Sequence, residues 1–139
     1  MPGFLVVDSH TCGRRVLAEK AVAILAGAGT AELIGIEGLA AAVGRLKPQA
    51  LVYFCRYRSQ GGCDVPDLKE ARRVFEAAAE VPRVVLVGSA AVYSARPENP
   101  GLIREAAGRP QHLAAADPAL PWIELEEAAE SALGPQRLI

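Results

Sequence analysis

The chain has 139 residues, 51% of them apolar, with 15 basic side chains against 16 acidic ones. That length gives one domain with a real core, and the near balance of charge excludes the electrostatic footprint of a nucleic-acid binder. No apolar run reaches membrane-spanning length, and no basic segment followed by an apolar one opens the chain as a secretory signal would. Cys12, Cys55 and Cys63 are odd in number and form no Cys-x-x-Cys pair. The expectation is therefore free thiols in a reducing cytoplasm, with no metal site.

Phe4-Leu5-Val6-Val7 is a short apolar run and predicts a first strand. From Arg15 to Leu25, the residues Val16, Leu17, Ala21, Ile24 and Leu25 recur at helical spacing, and Gly27 and Gly29 end the helix. Glu32 to Ile36 predicts strand two. Leu39 to Leu46 is Ala-rich and helical, and stops before Pro48. Leu51 to Cys55 predicts a strand, and Tyr57 to Cys63 a polar loop containing glycine. Pro66 suits the first turn of a helix over Asp67 to Glu80, with Leu68, Ala71, Val74, Phe75 and Ala78 as its buried stripe. Alternating strands and helices argue for an α/β domain with a parallel sheet and right-handed crossovers.

Next comes Arg83 to Tyr93, RVVLVGSAAVY. Val84 to Val87 reads as a strand buried on both faces. Gly88-Ser89 then turns the backbone and presents a hydroxyl at the strand's carboxyl end, the edge where open α/β sheets bind ligands. A core strand with a small-residue turn is the plainer reading of the same residues. Arg96 to Pro121 is rich in proline and predicts a long surface loop, with one helical turn near Ile103 to Ala107. Trp122 to Leu133 predicts a last helix, acidic through Glu124, Glu126, Glu127 and Glu130. Gly134-Pro135 breaks it, and Gln136 to Ile139 resembles the start of another strand.

Ser89-Ala90-Ala91-Val92-Tyr93 resembles the Ser-x-x-Val-Tyr signature of extended short-chain dehydrogenases/reductases, the NAD-dependent epimerase/dehydratase branch. The flanking segments match that family in order. The resemblance implies a Rossmann-like three-layer domain with a mostly parallel sheet over residues 1–139. It also implies that Ser89 would hydrogen-bond the reacting oxygen of a substrate. Tyr93 would serve packing and nucleotide contact, although its phenol could in principle act as an acid.

The cofactor positions depart from the family. Its Gly-x-x-Gly-x-x-Gly turn is replaced by Val7-Asp8-Ser9-His10-Thr11-Cys12-Gly13-Arg14, with one glycine. Asp8 would repel a pyrophosphate, which Arg14 and Arg15 at the helix start would partly offset. Side chains on Ser9, His10, Thr11 and Cys12 would fill the phosphate space. Glu37 follows Gly13 at about the ~20-residue spacing of the acid that holds the adenosine ribose, or it is a solvated acid at a strand end. A strand that the family has after this point is missing between Gly38 and Gln49. Tyr53 stands for the histidine of the family's His-x-Ala-Ala strand end, and Cys55 for a small residue beneath the nicotinamide. Cys55 also reads as a small buried residue.

Pro121 to Glu130 resembles the Pro-Tyr-x-x-x-Lys helix, but Trp122 replaces the tyrosine and Glu126 the lysine. An indole N–H is no acid/base near neutral pH. A glutamate reverses the charge that lowers the tyrosine pKa. Packing alone would make Trp122 a core anchor and the glutamates a solvated face. His10 and His112 have no nucleophile pattern beside them, so a hydrolase triad is not supported.

The catalytic candidates are thus Ser89 and Tyr93, with Trp122 and Glu126 in the family's Tyr and Lys positions, and the cofactor candidates are Gly13, Arg14, Glu37 and Cys55. The expected function is a degenerate NAD(P)-binding-type domain without its own redox activity, with NAD(P) bound weakly or not at all. It would act as a structural or interaction module, completed by the remainder of a larger chain, including a C-terminal substrate part, or by a homo-oligomer. The alternative is an active NAD(P)-dependent nucleotide-sugar epimerase, dehydratase or reductase with an atypical site. Neither nucleic acid nor membrane is an expected partner.

Overall fold

The computed structural model describes residues 1–8, 15–60, 63–93 and 113–139. In chain order the elements are β1 (Gly3–Asp8), α1 (Arg15–Ala26), β2 (Thr30–Ile34), α2 (Leu39–Leu46), β3 (Ala50–Phe54), β4 (Tyr57–Gln60), β5 (Cys63–Pro66), α3 (Leu68–Ala77), β6 (Val84–Val87) and α4 (Leu120–Leu133). Short 3₁₀ turns cover Ile36–Gly38 and Ala90–Tyr93. Four of these strands form one parallel sheet in the order β2-β1-β3-β6.

Alternation along the strands divides the core in two. Leu5, Val7, Leu51, Tyr53 and Val84 face α2, α3 and α4 in one large cluster. Val6, Val52, Phe54 and Val87 share the other face with Ala18, Ala21, Val22 and Leu25 of α1. The expected stripe of α3 is met: Ala71, Val74, Phe75 and Ala78 are buried, and Leu68 packs partly against the same cluster.

Several boundaries differ from the sequence reading. Strand two runs over Thr30–Ile34 rather than Glu32 to Ile36, because its ladder with β1 starts at Gly3 opposite Thr30. The Thr30 N–H donates to the Pro2 carbonyl at 3.0 Å. A Cβ on Gly29 would collide with that carbonyl, so the close approach requires glycine there. Tyr57 to Cys63 is not a loop. β4 and β5 pair antiparallel, Tyr57 opposite Pro66 and Gln60 opposite Cys63, with residues 61–62 between them. Pro66 ends β5 rather than opening a helix, and Asp67 caps α3. The final strand is a single parallel bridge, Leu138 to Val84. Most of the proline-rich stretch, and its expected turn near Ile103 to Ala107, lies outside the described residues. α4 begins at Leu120, ahead of Trp122.

The cap is a local ion-pair site as well. The Asp67 carboxylate accepts the Glu70 N–H at 3.1 Å and the Arg58 guanidinium at 3.0 Å. The backbone donor, aided by Arg58, holds its carboxyl below the usual value. Removal by Asp67→Ala is expected to cost about 1 kcal/mol at neutral pH. A depressed folded-state pKa contributes stability above the ordinary carboxylate range and loses it as pH falls through the folded value. Urea unfolding of both proteins should therefore show a gap that closes below about pH 4. A gap that widens toward acid would contradict the cap.

Candidate functional site

Because the strands are parallel, their carboxyl ends share one edge. Asp8 ends β1, Gly35 to Glu37 follow β2, Cys55 and Arg56 follow β3, and Gly88-Ser89 follow β6. Asp8 is 3% exposed, and its Oδ1 has no hydrogen-bond partner among the described residues. Ser89 is half-buried; its Oγ accepts the Ala91 N–H at 3.2 Å and opens the 3₁₀ turn. Tyr93 ends that turn half-buried against the core. Helix α4 packs on the same turn, and Val92 and Trp122 share one cluster.

Trp122 is 1% exposed, and its Nε1–H donates to the Asp64 carbonyl at 2.8 Å. Its ring lies 6.4 Å from that of Tyr57, tilted by 53°. The β4–β5 hairpin is thereby fastened to α4. Glu126 is half-buried on α4, while Glu124, Glu127 and Glu130 are exposed, which matches the packing reading of that helix.

Glu37 lies apart from this group. Its side chain is 83% exposed and pairs with Arg73 at 3.3 Å, an exposed pair of small energetic weight. Cys55 is fully buried, and its thiol donates to the Arg56 carbonyl at 3.3 Å. Tyr53 is buried beneath it, with its hydroxyl 3.5 Å from Glu70 Oε1. Burial first, then the neighbouring Cys55 and Glu70, pushes the Tyr53 phenol far above its ordinary pKa. It is no acid/base at neutral pH. Gly13 and Arg14, with Ser9 to Cys12, lie outside the described residues. Residues 35–49 pass from β2 through a 3₁₀ turn and α2 directly to β3, so the additional family strand is absent there.

The sequence reading missed a charged cleft of about 300 Å³ beyond β2 and β3, lined by Glu37, Arg56, Asp67, Lys69, Glu70 and Arg73. Arg56 pairs with Glu70 at 3.6 Å and Arg58 with Asp67. Its signal was present as interleaved charge on both sides of Gly61-Gly62. Among the described residues there is no cluster of potential metal ligands, and no helix is long and apolar enough to cross a membrane.

This edge can be set beside solved structures. One is WbmH, a Bordetella bronchiseptica enzyme in complex with NAD+: TM-score 0.66 and 16% identity, covering 95% of this chain and 53% of that one. The fold is Rossmann-like. A UDP-N-acetylglucosamine 4-epimerase from Bacillus cereus gives TM-score 0.66 at 12% identity, over 99% of this chain and 57% of that one. A UDP-glucuronic acid 4-epimerase from Bacillus cereus in complex with NAD gives 0.56 at 10%, over 98% and 54%. The chain thus spans little more than half the length of each. No protein-family model and no curated protein matches the sequence. The resemblance drawn from Ser89 to Tyr93 is met at the level of fold.

Trp122 is the sole tryptophan. Trp122→Phe should keep the fold but lose the bond to Asp64, at a cost of about 1 kcal/mol. Trp122→Ala should cost roughly 3–5 kcal/mol through the cavity it leaves. Denaturation followed by circular dichroism would measure both. Equal stability of wild type and Trp122→Ala would show that the hairpin does not rest on this side chain.

Proposed function

We propose that this chain is a Rossmann-like domain of the epimerase type that carries out no redox chemistry of its own and works as a structural or interaction module in a reducing cytoplasm. Its partner is the remainder of a larger chain or a second copy. The observation that carries this reading is Trp122. The resemblance sets it where the family keeps a titrating tyrosine, yet its one N–H is buried and committed to the Asp64 carbonyl. An indole has no proton to exchange near neutral pH. Glu126 adds an acid where a cation is needed to lower a phenol's pKa.

The residues present do not fit a dinucleotide well. A pyrophosphate at the end of β1 needs N–H donors and open space. Asp8 instead puts buried acceptor oxygens there. Glu37 can turn to a ribose only by leaving Arg73, and among the described residues no strand beyond β2 builds that side. NAD(P) binding is therefore weak or absent. An active NAD(P)-dependent epimerase, dehydratase or reductase is the second reading. Ser89 at the β6 end favours it, as does the NAD held by two of the structural neighbours.

Thermal unfolding with NAD+, NADH and their phosphorylated forms separates the two. A ligand at 100 times its Kd adds about 2.7 kcal/mol, a rise in Tm of roughly 10 °C for a domain of this size. No shift is expected at millimolar cofactor, and a rise of that order would overturn the reading. Asp8→Val should by itself raise stability by about 1–3 kcal/mol, since it removes a buried oxygen that has no partner among the described residues. A loss on that substitution would show that the carboxyl is bonded in solution.

A further inference from the structure

The charged cleft beyond β2 and β3 opens on the carboxyl rim, the side on which parallel sheets bind ligands. Three elements build it. Ile36 and Glu37 come from the turn after β2, Arg56 from the end of β3, and Asp67, Lys69, Glu70 and Arg73 from the start of α3. By count the cleft is neutral, with three basic side chains and three acidic ones. The two signs are not equally placed.

Asp67 and Glu70 are withdrawn into the protein, their side chains 15% and 11% exposed. Asp67 accepts the Glu70 N–H on Oδ1 and Arg58 on Oδ2. Glu70 meets the Tyr53 hydroxyl through Oε1 and pairs with Arg56 through Oε2. The protein itself thus engages all four oxygens. The cations stand in solvent: Arg56 and Arg73 are 45% and 52% exposed, and Lys69 is exposed as well. Glu37 is the one acid of the cleft that joins them there. A solute entering the cleft therefore meets three cations and a single carboxylate.

These cations are under-used. Lys69 and Arg73 lie four residues apart on one face of α3, where like charges repel. Among the described residues Lys69 pairs with no acid. Arg56 has only the ion pair with Glu70, at 3.6 Å, which leaves most of its N–H donors over. Both Nη atoms of Arg73 reach Glu37, at 3.3 and 3.4 Å. So exposed a pair is weak. Arg73 thus already holds an oxyanion, and holds it loosely. The whole chain has a formal net charge of -1, so this gathering of positive charge is local.

We propose that the cleft binds a dianionic phosphate group, free or carried as a small monoester, between Arg56, Lys69 and Arg73, with Glu37 displaced from Arg73. A carboxylate ligand would bring one charge and merely replace Glu37. A dianion brings a second charge, which serves Lys69 and Arg56. The planar fork of arginine matches phosphate oxygens, and lysine adds a point charge beside it. A volume of about 300 Å³ leaves room next to the phosphate for a short organic part against Ile36. In this site Glu37 is the competitor of the ligand and not its holder. The inference goes beyond the proposed function and stands whether or not the rim binds a dinucleotide.

Titration calorimetry at low ionic strength and about pH 8, where phosphate is a dianion, tests it with inorganic phosphate, glycerol phosphate and acetate. Both phosphates should bind saturably at up to about 10 mM, and acetate should not. A tighter ester assigns the site to an organic phosphate, and equal affinities assign it to the free ion; both support the proposal. Arg73→Gln and Lys69→Gln should each weaken binding about 10-fold, with unchanged circular dichroism. Arg72→Gln removes the same charge from the adjacent position, which lines a different groove with Phe75 and Ala128, and should change affinity by less than about 2-fold. Glu37→Gln should tighten binding about 2–5-fold, because the competing carboxylate is gone. Absence of saturable binding would overturn the proposal, as would acetate binding as tightly as phosphate. Equal losses in Arg72→Gln and Arg73→Gln would reveal diffuse charge in place of a site, and weaker binding by Glu37→Gln would contradict the displacement; either result overturns it too.

Discussion

Strands that all run the same way can be joined only by crossovers, and each crossover must lie on one face of the sheet. Their right hand then fixes which face receives which helix. β2 sits at an edge because the first step goes outward. The chain must next cross back over β1 to reach β3, and from there it continues to β6 and Leu138. Three helices collect on one face as a result. The large core, from Leu5 and Tyr53 to Phe75 and Leu125, is on that side. The same constraint sets every carboxyl strand end along one rim, where Asp8, Cys55 and Ser89 are found.

Trp122 shows how the rim was put to structural use. It occupies the first turn of α4 and reaches the β4–β5 hairpin, an antiparallel unit inserted between β3 and α3. The indole is almost wholly buried, and its one donor is satisfied by the Asp64 carbonyl. A buried indole without an acceptor would lose its solvation for nothing, so the hairpin and the tryptophan depend on each other. Asp67 extends the arrangement from the other end of the hairpin, where it caps α3 and pairs with Arg58 on β4.

The periodic elements were legible in the sequence because burial writes a regular pattern. The apolar runs at Leu5 to Val7 and Val84 to Val87, and the stripe Ala71, Val74, Phe75 and Ala78, are what a two-faced sheet and an amphipathic helix require. The hairpin was missed because Tyr57 to Gln60 and Cys63 to Pro66 are polar and lie outside the main sheet. Gly61-Gly62 between two short β-capable runs was nevertheless a hairpin signal. Strand two was displaced by two residues because its start is set by Pro2 and Gly3 on β1, a contact that no local pattern encodes. The site candidates were legible as residue types, but their pairing was not. Nothing near Glu37 in sequence announces Arg73, and nothing near Trp122 announces Asp64.

Ser89 to Tyr93 was the most legible stretch of all, and the structure supplies a reason that needs no reaction. The Ser89 hydroxyl accepts the Ala91 N–H and so turns the chain out of β6. Val92 is buried in the main cluster, and Tyr93 packs against it where α4 arrives. Each residue of the signature thus has a local structural task in this chain. Trp122 likewise has a structural task, since its N–H holds the β4–β5 hairpin to α4. Fold and site draw on different residues. A sequence can therefore keep Ser-x-x-Val-Tyr for the turn that leaves β6, whatever chemistry the rim does or does not carry.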